Sequence, residues 1–233
     1  MFIVDVRMGS ADVRQAARFY REVLELPVAV SEGIAVVTVG ASTITLVEDA
    51  TAREGNHLAF TIPSNLFADA KRWLAERVEP MRWGTGEDEL RLGEPWNSES
   101  VYFLGPDGVI LEAITRHSLG NASGEPFSSA QLLCVSEVGL ATSDVAGTFA
   151  AIRQQFGIET FAGESPDFTT AGDQQGLLIL VTAGRSWFPT DHVGAATESL
   201  QVSIGGTAAG EFRAPEGWTV RSVLDGSAKH ELT

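Results

Sequence analysis

Several features that define common protein classes are scarce or missing in this sequence of 233 residues. Cys134 is the single cysteine, which excludes an intramolecular disulfide and a cysteine-rich metal site. The apolar runs, such as 34–39 and 177–181, are the length of strands and fall short of the about 20 residues that a membrane-spanning helix needs. The first residues also lack the basic region and apolar block of a signal peptide. We therefore expect a cytoplasmic protein with no membrane partner.

Basic residues are few, because 16 Lys and Arg stand against 31 Asp and Glu and give a formal net charge of −15. Lys and Arg form no run long enough for a basic stripe, and such a surface repels a phosphate backbone. Nucleic acid is therefore excluded as a partner. The sequence also has no glycine-rich phosphate loop, no Gly-x-Gly-x-x-Gly after a strand and no Gly-x-Ser-x-Gly elbow. We expect no nucleotide cofactor.

The sequence contains an internal repeat. Segment 5–13, DVRMGSADV, is matched by segment 137–145, EVGLATSDV, at an offset of 132 residues. Each segment is a short strand pattern that runs into a helix cap, and the correspondence continues at the same offset to Gly40 and Gly172. A repeat of this kind indicates that the chain is built from duplicated structural units.

Each half divides again into two units with the order β-α-β-β-β. Unit one has a helix capped by Asp12, unit two starts at 57 with a helix capped by Ser64 or Asn65, and unit three has a cap at Asp144 or Ser143. Unit four is reduced, since the segment 205–210, GGTAAG, replaces the expected helix and each glycine costs about 1 kcal/mol in a helix. This pattern predicts an α+β fold.

The polar segment 118–130, rich in glycine and serine, predicts an interdomain linker. It divides the chain into a domain 1–117 with two complete units and a second, reduced domain 131–233. Because the differences between the copies leave unit four eroded, we expect any chemistry in the N-terminal domain.

Three further segments carry a resemblance to a known family. They are 17–24 (ARFYREVL), 57–60 (HLAF) and 102–112 (YFLGPDGVILE). In this order and repeat context they resemble the vicinal oxygen chelate superfamily, which includes glyoxalase I, bleomycin-binding proteins, fosfomycin-resistance enzymes and extradiol ring-cleaving dioxygenases. The resemblance covers nearly the whole chain. It implies that the tandem βαβββ units form two curled mixed-sheet cups, of which the C-terminal one is degenerate.

The resemblance also implies metal ligands at Asp5, His57 and Glu112. Two positions depart from the family pattern, since Thr45 stands where glyoxalase I has a fourth ligand and Asp5 stands where His or Gln is usual. One imidazole and two carboxylates favour Fe²⁺, Mn²⁺ or Mg²⁺ over Zn²⁺. The implied function is a divalent-metal-dependent enzyme, similar to a ring-cleaving dioxygenase, that acts on a small oxygenated substrate. The sequence identifies no further catalytic residue.

Arg7 keeps a second interpretation open. Side chains two apart on a strand share a face, so Arg7 lies beside Asp5, where it either clamps an anionic substrate or forms an ion pair that leaves no metal site. The alternative function is a metal-free protein that sequesters a small molecule in the same cup. The candidate substrate contacts are Arg7, Trp96 and Tyr102. The expected partner is a small molecule, and a homodimer stays open.

The loop 184–191 contains two adjacent aromatic residues, Trp187 and Phe188. Such a loop either covers a pocket or packs a domain junction, because large aromatic side chains serve both purposes. The sequence leaves both alternatives open.

Overall fold

The computed structural model describes residues 1–196 and 199–223. In chain order the described elements are β1 (Phe2–Ser10), α1 (Val13–Arg18), β2 (Val28–Ser31), β3 (Ile34–Val39), β4 (Ser42–Glu48), β5 (His57–Thr61), α2 (Phe67–Ala75), β6 (Leu90–Leu92), β7 (Ser98–Leu104), β8 (Ile110–Arg116), β9 (Cys134–Thr142), α3 (Val145–Phe156), β10 (Thr160–Glu164), β11 (Phe168–Asp173), β12 (Gly176–Thr182), β13 (Gln201–Gly205), β14 (Glu211–Arg213) and β15 (Thr219–Ser222). A π-helical turn extends α1, and short 3₁₀ turns precede β8 and β9.

Two of the three helices begin where the sequence predicts. The Asp12 side chain accepts a hydrogen bond of 2.9 Å from the backbone N–H of Gln15, and Asp144 accepts one of 2.9 Å from Gly147. Each bond satisfies one of the backbone donors that a helix leaves unpaired at its first turn. The cap of α3 is therefore Asp144, which settles the alternative left open with Ser143.

The helix α2 starts later than predicted, since its N-cap is Leu66. Asn65 donates from its side chain to the carbonyl of Ser123 at 2.8 Å and accepts from the N–H of Ser123 at 2.9 Å. The backbone N–H of Ser64 is bonded to the side chain of Asn121 at 3.1 Å. Both predicted caps therefore hold the 118–130 segment against the domain, a long-range contact that local sequence does not reveal.

The strands form two mixed sheets, and the predicted α+β fold with curled mixed sheets is confirmed. Sheet A has seven strands in the order β14-β15-β13-β1-β4-β3-β2, and sheet B has eight in the order β10-β11-β12-β9-β5-β8-β7-β6. Within each sheet, two units meet at an antiparallel pair of their first strands, β1 with β13 and β5 with β9. In unit four, the described chain has no helix between β13 and β14, as the glycines predict.

The strand pairing corrects one expectation about the cups. Units one and four share sheet A, whereas units two and three share sheet B. Each cup therefore combines both halves of the chain, and neither lies within 1–117 alone. The physical reason is that the alternation of residues along a strand fixes its faces but not the strand that pairs with it. The domain boundaries at 118–130 stay a prediction, and 224–233 lies outside the described residues.

Sheet B is buried on both faces at its centre. Every described residue of β5 and β8 is buried, and β9 is buried from Val135 onward. One face packs with sheet A and the helices in the main core. The other face belongs to a second apolar cluster that contains Tyr102, Ile179 and Trp187. Such strands have near-continuous apolar sequences because both faces are covered, so the few charged side chains among them stand out.

No helix in the described part of the chain is both long and apolar enough to span a membrane.

The turn between β3 and β4 contacts the chain just before β9. Gly40 has φ of +51°, and a Cβ there would lie 2.0 Å from the carbonyl oxygen of Leu133, which accepts a hydrogen bond of 2.8 Å from Ala41. Gly40 is therefore required by both backbone conformation and space. Gly157, the C-cap of α3, has φ of +69°, and a Cβ there would meet nothing within 4 Å.

We expect Gly40→Ala to lower the free energy of unfolding by more than about 2 kcal/mol, because strain and a backbone clash add together. Gly157→Ala is the matched control and should cost only about 1 kcal/mol, since the left-handed conformation is its single penalty. Urea unfolding followed by circular dichroism measures both. Equal losses for the two variants would contradict the close approach at Leu133.

Candidate functional site

Three buried ionisable side chains meet on one face of sheet B. They are His57 on β5, Glu112 on β8 and Glu137 on β9. Ala59 on the central strand β5 pairs with Glu112 on one side and with Glu137 on the other. His57 lies two residues before Ala59 and so has its side chain on the same face. The register of three adjacent strands therefore brings the three groups together.

The distances within the cluster are short. His57 Nε2 lies 3.5 Å from Glu112 Oε2 and 3.8 Å from Glu137 Oε2, and one donor atom of each residue lies within 4.8 Å of the others. His57 Nδ1 is 3.2 Å from the carbonyl oxygen of Ile110. A carbonyl only accepts, so Nδ1 donates this bond and Nε2 faces the two carboxylates. This backbone contact fixes the orientation of the imidazole in the way seen for metal-binding histidines.

Arg116 supports the cluster from the end of β8. Its side chain is fully buried, and its Nη2 forms an ion pair with Glu137 Oε1. Nη1 donates to Ser136 Oγ at 3.2 Å, while Nε has no hydrogen-bond partner among the described residues. The guanidinium therefore occupies one oxygen of Glu137 and leaves the other, Oε2, directed at His57.

Burial and mutual charge shift the protonation of the cluster. Burial and the neighbouring charge of Glu137 raise the pKa of Glu112 to about 7, although His57, Ser100 and Arg116 oppose the change. Burial lowers the pKa of His57, but contact with Glu137 and the charge of Glu112 outweigh it, so the net pKa is raised. Burial and the two carboxylates also raise the pKa of Tyr102 well above its ordinary value. A proton is therefore shared among closely spaced acidic groups near neutral pH.

The donor set fits a divalent cation. Nε2 of His57 and Oε2 of each glutamate converge, and a hydrogen-bonded carbonyl and a guanidinium orient two of the three ligands. Two carboxylates and one imidazole suit Mn²⁺, Mg²⁺ or Fe²⁺ better than Zn²⁺.

The repeat explains why the ligand set has three members and no fourth. Ile179 on β12 is the repeat equivalent of Glu112 on β8, because it pairs with Gly139 as Glu112 pairs with Ala59. The position from which a fourth ligand would come is therefore occupied by an apolar residue.

The cluster lies at the inner end of a cavity of about 180 Å³. The lining residues are His57, Leu90, Leu92, Trp96, Ser98, Ser100, Tyr102, Glu112, Ile114, Glu137, Phe168, Ile179, Arg185, Trp187 and Phe188. Most are apolar or aromatic. Such a concave, apolar lining with a few convergent polar groups is typical of small-molecule sites.

The loop with two aromatic residues covers this cavity. The Trp187 ring lies 5.2 Å from the imidazole of His57, and its Nε1 donates to the carbonyl of Gly55 at 2.7 Å. Gly139 makes room for the indole, because a Cβ there would lie 2.6 Å from it. The ring of Phe188 contacts that of Tyr102 at 5.3 Å between centroids. Both aromatic residues therefore cover part of the candidate site.

The structure unites part of the predicted site and separates the rest. His57 and Glu112 meet as predicted, and Trp96 and Tyr102 line the same cavity. Asp5 and Arg7 lie on β1 in sheet A, where Asp5 Oδ1 accepts hydrogen bonds from the hydroxyl groups of Thr43 at 2.5 Å and Thr45 at 2.8 Å. The expectation that Asp5 joins His57 and Glu112 is therefore corrected.

Glu137 takes the position expected for Asp5. The signal was present in the sequence, because Glu137 matches Asp5 in the repeat at an offset of 132 residues. It was missed since the cup was expected to combine units one and two. Arg116 and Arg185 were also missed, because nothing local distinguishes them from surface arginines.

Neither a family model nor a curated protein matches this sequence. Solved structures do match. A candidate dioxygenase from Bacillus subtilis is 15% identical, with 97% of this chain and 86% of that chain covered and a TM-score of 0.64. Glyoxalase I from Zea mays is 16% identical, with 96% and 92% covered and a TM-score of 0.60.

The chain therefore shares the fold of glyoxalase I and of the candidate dioxygenase. The resemblance in the sequence is confirmed at this level. One fold supports many chemistries, so identities near 15% leave the function to be argued from the residues of the site.

We expect Arg116→Met to lower the free energy of unfolding by about 3–5 kcal/mol in the presence of a chelator, since it leaves Glu137 buried without its cation. Adding Glu137→Gln to this variant should recover part of the loss, because the uncompensated charge is removed. Chemical denaturation of the two single variants and the double variant measures the coupling. Additive losses would show that Arg116 and Glu137 do not stabilise one another.

Proposed function

We propose that this chain is a divalent-metal-dependent enzyme of the vicinal oxygen chelate type that acts on a small oxygenated substrate. The observation that carries the proposal is the convergence of one imidazole and two carboxylates at the inner end of an aromatic cavity. His57, Glu112 and Glu137 would hold the ion, which would supply Lewis-acid stabilisation to the oxygenated substrate.

The other residues of the site bind, orient and exclude water. The carbonyl of Ile110 orients His57, and Arg116 fixes the carboxylate of Glu137. Trp187 and Tyr102 cover the cluster and lower the local dielectric, which strengthens each electrostatic contact inside. In the metal-free protein Glu112, whose pKa is raised to about 7, is suited to hold or release a proton near neutral pH.

Metal analysis tests the ligand assignment. We expect the wild-type protein to bind close to one equivalent of Mn²⁺, and His57→Ala or Glu137→Gln to bind less than about a tenth of that, because three ligands are the minimum for a stable site. Asp5→Asn is the control and should bind as the wild type does, since Asp5 lies in sheet A. Loss of metal in Asp5→Asn, or its retention in Glu137→Gln, would refute the assignment.

The affinity for Mn²⁺ should increase with pH. The metal-free protein has raised pKa values at Glu112, about 7, and at His57, so protons occupy the ligands in acid and must leave when metal binds. We expect a gain of up to about tenfold per pH unit for each displaced proton, levelling off once the pH exceeds the pKa values of both ligands. Calorimetric titrations across this pH range measure the affinity at each pH. An affinity that does not change with pH would contradict the assignment of these ligands.

One observation favours a second function, a metal-free protein that sequesters a small molecule. The cations Arg116 and protonated His57 together balance the charges of Glu112 and Glu137, so the cluster is neutral without an added ion. Buried charges need such partners. Less than about a tenth of an equivalent of metal in wild-type protein that still binds a ligand in the cavity would select this function.

A further inference from the structure

The two ends of the cavity differ in exposure and in how far their charges are compensated. At the inner end, the side chains of His57 and Glu112 are only 7% and 4% exposed. At the outer end, the side chain of Arg185 is 40% exposed, next to the exposed ring of Phe188. Arg185 is the only arginine or lysine that lines this cavity within the described residues, and the wall between the two ends is largely apolar and aromatic.

The protein positions Arg185 firmly but leaves its charge weakly compensated. Its backbone N–H donates to the carbonyl of Thr182 at 3.0 Å, and its own carbonyl accepts from Ala195 at 2.8 Å. The guanidinium carbon lies 5.1 Å from the centroid of the Phe168 ring, a cation–π distance.

Its one ion pair within the described residues is loose. Arg185 Nε is 3.7 Å from Oδ2 of Asp167, whose side chain is 62% exposed. No side-chain hydrogen bond of Arg185 is formed in 1–196 and 199–223. Exposed pairs of this kind contribute at most about 1 kcal/mol. The guanidinium can therefore exchange Asp167 for an anionic group of a ligand at little cost.

The size of the cavity limits what can fill it. A volume of about 180 Å³ is below the roughly 300–1,000 Å³ of pockets for drug-sized ligands. One ring with a few substituents is the appropriate scale. The rings of Trp96, Phe168 and Trp187 provide flat surfaces for such a group.

We infer that Arg185 selects one-ring ligands that carry an anionic substituent, preferably a carboxylate, at the end that remains at the cavity mouth. A guanidinium binds a carboxylate through two parallel hydrogen bonds, and its position over Phe168 preorganises it. At the inner end, the cations His57 and Arg116 are already paired with Glu112 and Glu137, so the charged substituent lies outward, at Arg185. The inference rests on the proposed function only for the identity of the ligand group that contacts His57, Glu112 and Glu137 at the inner end.

The test compares benzoate with benzyl alcohol, two probes of similar size that differ in charge, on the full chain in the presence of a chelator. Quenching of tryptophan fluorescence gives each Kd, since Trp96 and Trp187 line the cavity. We expect wild-type protein to bind benzoate about tenfold more tightly than benzyl alcohol. Arg185→Gln should bring the ratio of the two Kd values to within about twofold of one. Arg185→Lys should give an intermediate ratio, because lysine keeps the positive charge but lacks the paired donors of the guanidinium.

Arg153→Gln is the matched control. Arg153 is also about half exposed and paired with a surface carboxylate, Glu159, but it lies on α3 and does not line the cavity. Its ratio should equal that of the wild type. A wild-type ratio near one, an unchanged ratio in Arg185→Gln, or no binding of either probe at millimolar concentration would overturn the inference.

These outcomes are distinct from those that test the metal. Because the chelated protein is used, failure to bind Mn²⁺ leaves the benzoate preference intact and removes only the metalloenzyme proposal. Binding of Mn²⁺ with a ratio near one removes only the role of Arg185.

Discussion

The antiparallel pairing of β5 with β9 is the contact on which the rest of the site depends. Ala59 on β5 lies between Glu112 on β8 and Glu137 on β9, so one residue with a small side chain separates two carboxylates. A slip of one residue in either ladder turns a carboxylate to the opposite face, into the apolar core. Register is therefore strongly specified here, because both faces of these strands are buried.

This pairing places charge where it is costly to keep. His57, Glu112, Glu137 and Arg116 are all buried, and isolated ions in such an environment lose their hydration. The cluster persists because every member has a partner of opposite charge. The same proximity raises the pKa of Glu112 to about 7, so the local charge depends on protonation near neutral pH. A cluster of this kind contributes little to stability compared with apolar packing, and its place in a cavity supports the proposed function.

The two cups differ in how they are covered. The loop with Trp187 and Phe188 partly covers the cavity on sheet B, whereas Asp5 and Arg7 in sheet A stay half-exposed. In sheet B, Gly139 allows the indole of Trp187 to approach His57. Ile179, at the position equivalent to Glu112, keeps one side of the cavity apolar. Differences between the repeated units therefore leave a cluster of buried charged groups at the inner end of the cavity on sheet B.

The sequence by itself determined the units and their faces. The spacing of Asp12 and Asp144 from their first strands marked the repeat, the glycines at 205–210 marked the lost helix, and the family resemblance implied His57 and Glu112. These signals are local, since helix caps, glycine and strand alternation act over a few residues. Only the tertiary structure decided that unit two pairs with unit three, because backbone hydrogen bonding between strands is nearly independent of sequence. That choice replaced Asp5 with Glu137, brought Arg116 beneath it and placed Arg185 at the mouth of the cavity.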